Sequence, residues 1–101
     1  MALPAPLPPP LEHVLEVLYR ERGWEVYIFG SWARGEENPT DIDIALSGSP
    51  PPSEGELAEL REQLEELPIP YRVDVVCYQR ASASLQEAIQ REGILWKPKG
   101  G

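Results

Sequence analysis

Basic residues are scarce in this chain: nine Lys and Arg face 17 Asp and Glu, for a formal net charge of −8. Affinity for a nucleic-acid backbone comes largely from phosphates neutralised by basic side chains, so free nucleic-acid polymers are not expected partners. Cysteine is scarcer still. The lone Cys77 excludes an intrachain disulfide and fits a reducing compartment, with the cytoplasm as the expected location. No apolar run approaches the ~20 residues of a membrane-spanning helix. The N-terminus shows no basic region leading into an apolar segment, so no signal peptide is expected. At 101 residues the chain has room for one hydrophobic core and not two. It contains no internal repeat.

Proline, by contrast, is plentiful. Five prolines fall in "LPAPLPPP", residues 3–10, which reads as neither helix nor sheet interior. Residues 1–10 are therefore expected to form a proline-rich, solvated arm, with a single domain over residues 11–101; a ligand for a proline-binding groove is the sharper alternative. From Leu11 to Arg22, Leu11, Val14, Leu15 and Leu18 recur at helical spacing, and Gly23 stands where a helix would end. "WEVYIF", Trp24 to Phe29, reads as a strand, and so does the alternating "DIDIAL", Asp41 to Leu46. Ser53 and Glu56 form a capping-box pair before a helix reaching about Leu67 and burying Leu57, Leu60, Leu64 and Leu67. Tyr71 to Tyr78 reads as a third strand. A short helix is expected from about Ser84 to Glu92, with Ser84 and Glu87 as a second box, then a small strand over Ile94 to Lys97. This order predicts an α+β fold of two layers, a single mixed β-sheet with helices packed on one face.

The chemistry gathers in "FGSWARGEENPTDIDIAL", Phe29 to Leu46. Along the second strand Ile42, Ile44 and Leu46 point to the core, which sends Asp41 and Asp43 to the opposite face with Cα atoms ~6.6 Å apart. The third strand repeats the device, with Val73, Val75 and Cys77 inward and Asp74 outward. Three carboxylates without His or Cys make a hard oxygen donor set, suited to Mg²⁺ or Mn²⁺ rather than zinc. Upstream, Gly30 and Ser31 follow a strand and open a helical turn. Free backbone N–H groups there bind phosphate oxygens, glycine admits a phosphate closely, and the Ser31 hydroxyl adds a donor. A phosphate cradle beside a carboxylate site points to phosphoryl or nucleotidyl transfer from a triphosphate.

Gly30-Ser31, nine intervening residues, Asp41-Ile-Asp43 and the later Asp74 resemble the DNA polymerase β-type nucleotidyltransferase superfamily. The short length resembles its minimal nucleotidyltransferases, the MNT proteins, and "EAIQREGILWK" resembles the tail of MNT proteins paired with a helical HEPN toxin. The resemblance spans roughly residues 11–97. It implies that Gly30 and Ser31 hold the β- and γ-phosphates of ATP, with Arg34 as a further phosphate contact. It also implies that Asp41 and Asp43 ligate two Mg²⁺ ions, Mn²⁺ being an alternative, and that Asp74 ligates the ion nearest the acceptor hydroxyl. The implied activity is transfer of AMP to a protein acceptor, as antitoxin of a HEPN-type partner in a homo- or hetero-oligomer. Two alternatives stand beside it: a non-catalytic antitoxin that masks the partner, and a nucleotidyltransferase acting on a small molecule. Fewer than thirty residues follow Asp74, which leaves little surface to select an acceptor, so a second subunit is expected to supply it.

The other notable side chains read plainly. His13 is expected on the exposed side of the first helix and Cys77 in the core. Trp32 can stack on an adenine, anchor a partner or pack at the sheet edge, while Trp24, Tyr27 and Trp96 read as core or edge aromatics.

Overall fold

A computed structural model describes residues 2–99. The chain runs α1 (Pro9–Arg22), β1 (Glu25–Phe29), α2 (Gly30–Arg34), β2 (Asp41–Ser47), α3 (Glu54–Glu65), β3 (Arg72–Cys77), a 3₁₀ turn (Tyr78–Arg80), α4 (Ala83–Glu92) and β4 (Ile94–Trp96). The strands form one sheet in the order β3-β2-β1-β4. β1 pairs antiparallel with both β2 and β4, whereas β2 and β3 are parallel. A parallel pair needs a crossover, and α3 provides it. The α+β class, with one mixed sheet, is as expected.

Side-chain alternation builds the core. Val26, Ile28, Ile42, Ile44, Leu46 and Val75 are fully buried, together with Leu11 and Leu15 of α1 and Leu57 of α3. Each such aliphatic side chain stabilises the fold by about 1.5–3 kcal/mol through removal from water. Trp24, Trp96 and Cys77 join this core. His13 is exposed. The short α4 lies beside the other face of the sheet, so the helices do not all pack on one face as expected. There Gln86 and Gln90 bond to Tyr78, and α4 bounds a cavity of about 380 Å³ with Tyr27 and Ser47. Among the described residues no helix is long and apolar enough to cross a membrane.

Two local expectations need correction. The proline-rich segment is not solvated along its length. Pro9 and Pro10 are the first residues of α1, where the missing N–H would have no helical partner. Ahead of them, Leu7 is 3% exposed and belongs to the core. The second correction concerns α4, which is capped by Ser82, not Ser84: the Ser82 hydroxyl accepts from Leu85 N–H at 3.2 Å. The Ser53–Glu56 box is present in both directions, at 3.1 and 3.0 Å. α3 ends at Glu65, and Leu67 packs against the core from beyond the helix.

Candidate active site

Strand register brings the sequence motif together. Phe29, the last residue of β1, pairs with Asp43 of β2, so the turn that begins at Gly30 lands against the Asp43 side chain. Gly30 has φ +73°, and a Cβ added there would overlap Asp43 Oδ2 and approach Cγ to 3.1 Å. Only glycine meets both demands at low cost, which answers why a Gly-Ser turn precedes the aspartates in the sequence. α2 then closes after a single turn on Gly35, also left-handed at φ +70°.

Parallel pairing places Asp74 of β3 in register with Asp43, and Asp41 in register with Arg72. Asp41, Asp43 and Asp74 thus share the sheet face that faces away from Ile42, Ile44 and Val75. The crowding is felt at Asp43. Burial raises the Asp43 pKa above the ordinary carboxylate value, and the charges of Asp74 and then Asp41 push it further. Arg34 opposes the shift and Glu92 adds to it. Among the described residues no three His, Cys, Asp or Glu side chains converge on one point that would hold a metal unaided. A cleft of about 470 Å³ leads from Asp74 past Arg72 and Tyr71 to Arg61.

Arg34 is more constrained than an ordinary turn arginine. Its Nε donates to Glu36 Oε2 at 2.7 Å and its Nη1 to Glu92 Oε1 at 3.0 Å, although its side chain is 47% exposed. Glu92 was not visible as a site residue in the sequence. Its Oε1 also accepts from the Gly30 N–H at 3.1 Å, across 62 residues of chain, so this N–H is not free as expected. Trp32 is buried rather than free to stack on a base. It meets Tyr71 edge-to-face with ring centroids 5.0 Å apart, and its indole N–H donates to Ala5 O at 3.3 Å. The proline-rich segment therefore braces the back of α2.

Residues 16–98 match the family described as polymerase beta, nucleotidyltransferase. The chain belongs to the polymerase β nucleotidyltransferase family. No curated protein matches its sequence. Several solved structures share the fold of this nucleotidyltransferase domain. A toxin–antitoxin crystal structure with AMP-PNP is 26% identical with a TM-score of 0.68, over 87% of this chain and 74% of that one. A complex of a tri-AMPylated HEPN toxin with its MNT antitoxin, from Shewanella oneidensis, is 26% identical with a TM-score of 0.63, over 84% and 68%. A third, the MntA–HpeT toxin–antitoxin, reaches a TM-score of 0.71 at 23% identity over 89% and 73%, and speaks to the fold alone. These neighbours mark the chain as an MNT-type member of the polymerase β superfamily.

Proposed function

We propose that this MNT-type domain transfers AMP from ATP to a hydroxyl of a HEPN-type partner protein, in a divalent-metal-dependent reaction, and so acts as its antitoxin. The observation that carries the reading is the close approach of the Gly30 turn to Asp43, a carboxylate that is already desolvated and crowded, so that a triphosphate held at the turn would lie beside it. The tri-AMPylated toxin in one structural neighbour supplies the analogy for the acceptor.

The donor set fits the implied ion. Mg²⁺ prefers one or two carboxylates completed by substrate phosphates and water over an all-protein cage, and side-by-side carboxylates opening on a phosphate turn match that preference. Asp41 and Asp43 would hold the ions, shared with the triphosphate, and Asp74 would hold the one on the acceptor side. When bound, such ions neutralise the triphosphate and lower the pKa of the attacking oxygen. The chain's own residues do the rest. Gly30 admits the β- and γ-phosphates closely and Ser31 orients them, the Gly30 N–H itself being taken by Glu92, and Arg34, held by Glu36 and Glu92, is the further phosphate contact. The acceptor oxygen bonds to the α-phosphorus, the bond to the bridging oxygen breaks, and pyrophosphate leaves. Asp74, which lines the cleft, is the carboxylate we assign to receive the acceptor proton.

The test is incubation of catalytic amounts of this protein with an excess of its HEPN-type partner and Mg-ATP, read by intact mass. The partner should gain whole AMP units and remain inactive after this protein is removed. Asp43→Asn should abolish that gain. Inhibition that needs equimolar protein, ignores ATP and leaves the mass unchanged would make the chain a masking module instead.

A further inference from the structure

The β1–β4 ladder pairs Val26 with Trp96, Tyr27 with Leu95 and Ile28 with Ile94. Continuing that register two residues past Ile28 sets Gly30 opposite Glu92. The chain makes the corner between α4 and β4 at Gly93, whose N–H closes α4 on Ile89 O at 2.7 Å. A Cβ at Gly93 would overlap that same carbonyl, so a side chain here would push α4 off its seat. Glu92 is thereby delivered to one place: its Oε1 takes the Gly30 N–H at 3.1 Å and Arg34 Nη1 at 3.0 Å together. Its side chain is 23% exposed, less than half the exposure of the arginine it holds.

We infer that Glu92 is a positioning residue for the nucleotide, tying α4 to the phosphate turn and aiming the Arg34 guanidinium across it. The inference rests on the reading of Gly30–Arg34 as a triphosphate site. The bond to Gly30 sets a fourth carboxylate beside the turn that Asp43 touches. It adds negative charge to a face already crowded with Asp41, Asp43 and Asp74, and that charge opposes an incoming triphosphate. Simple electrostatics therefore says that removing it should tighten nucleotide binding. Positioning says the reverse, because the turn loses its brace and Arg34 its direction. The two accounts differ in sign.

Isothermal titration of the full chain with Mg-ATP separates them, with wild type, Glu92→Ala, Glu92→Gln, Arg34→Ala and the Arg34→Ala/Glu92→Ala double variant compared. Glu92→Ala should weaken binding roughly three- to tenfold, the net worth of one hydrogen bond. Glu92→Gln keeps an oxygen acceptor for Gly30 N–H and Arg34, so it should recover part of that loss despite carrying no charge. The double variant should lose less than the product of the single losses, because Glu92 acts partly through Arg34. Equal or tighter binding by Glu92→Ala, or by Glu92→Gln where the alanine variant fails to fold, overturns the inference. So does a double variant whose losses simply multiply. A wild-type chain that does not bind Mg-ATP removes the triphosphate reading of the turn, and the inference with it; a wild type that binds while the Glu92 variants bind equally well removes the inference alone.

Discussion

Replacing Gly30 by alanine separates two costs that the structure places on one residue. The first is backbone: at φ +73° an L side chain sits in the left-handed region, at about 1–2 kcal/mol. The second is the overlap of the new Cβ with the Asp43 carboxylate, for which overpacking typically costs about 1–3 kcal/mol. Gly23 provides the control. It has nearly the same φ, +70°, and a Cβ there meets nothing within 4 Å, so Gly23→Ala carries the backbone cost alone. The excess of Gly30→Ala over Gly23→Ala is the contact with Asp43. For a domain of this size each kcal/mol moves Tm by roughly 4–8 °C, so the excess is measurable by calorimetry.

The carboxylate is the mobile end of the Asp43 side chain, so part of the overlap can be relieved by swinging it away. That relief has a functional consequence. It places the stability excess near the low end, about 1 kcal/mol, and transfers the larger loss to Mg-ATP affinity, since Asp43 no longer faces the turn. Urea unfolding and nucleotide titration of both variants, with Gly30→Ala/Asp43→Ala as a third, read the two effects apart. Truncating Asp43 should return the excess stability loss and leave the backbone part. If Gly30→Ala unfolds no more easily than Gly23→Ala and still binds Mg-ATP like the wild type, the close approach between turn and aspartate is not real.

Asp43→Asn bears on the charge of the same face. Burial first, then Asp74 and Asp41, raise the Asp43 pKa, so the folded protein holds that proton more tightly than the unfolded chain does. The ionised form therefore costs stability above the folded pKa, and the cost fades as pH falls through that value toward the unfolded one. The variant should melt higher than the parent at neutral pH without metal, with the gain shrinking into the acid range; a gain that does not change with pH would refute this. Removing residues 2–7 should expose Trp32 and lose the burial of Leu7, at about 1.5–3 kcal/mol, plus about 1 kcal/mol for the bond to Ala5. An unmoved Trp32 indole N–H resonance and an unchanged urea midpoint would show that the segment braces nothing.

What could be read from the sequence was what is local. Alternation in "DIDIAL" and "RVDVV" assigned Asp41, Asp43 and Asp74 to one face because strand geometry leaves no other choice, and the register agrees. Ser53 and Glu56 find each other across three residues, so their box was legible too. Only Ser84, with Glu87 three residues on, fits that box, but Ser82 is the serine nearer the end of the 3₁₀ turn that sets where α4 begins, and it caps alone. The prolines misled for a different reason. The rule that proline breaks helices does not hold in the first turn, and nothing near Leu7 announces a hydrophobic slot formed by distant elements. Glu92 was out of reach because its partners lie 58 and 62 residues away. Only the β1–β4 register, with Gly93 at its corner, carries that information.

Most of the site sits at the ends of strands, and this constrains what mutations can show. Gly30 follows the end of β1, Asp41 and Asp43 open β2, Asp74 lies near the start of β3, and Glu92 precedes β4. Given the antiparallel and parallel pairings, all these positions fall at one end of the sheet, so the register that builds the core also sets the site. A one-residue slip of β2 would turn Asp41 and Asp43 into the core and Ile42 outward, destroying fold and site together. Substitutions that change shape at this end therefore mix stability with function, as at Gly30. Substitutions that change charge at nearly constant shape, Asp43→Asn and Glu92→Gln, avoid that mixture. Their opposite expected signs, a stability gain for the one and a binding loss for the other, distinguish a carboxylate that the fold tolerates from one that the turn requires.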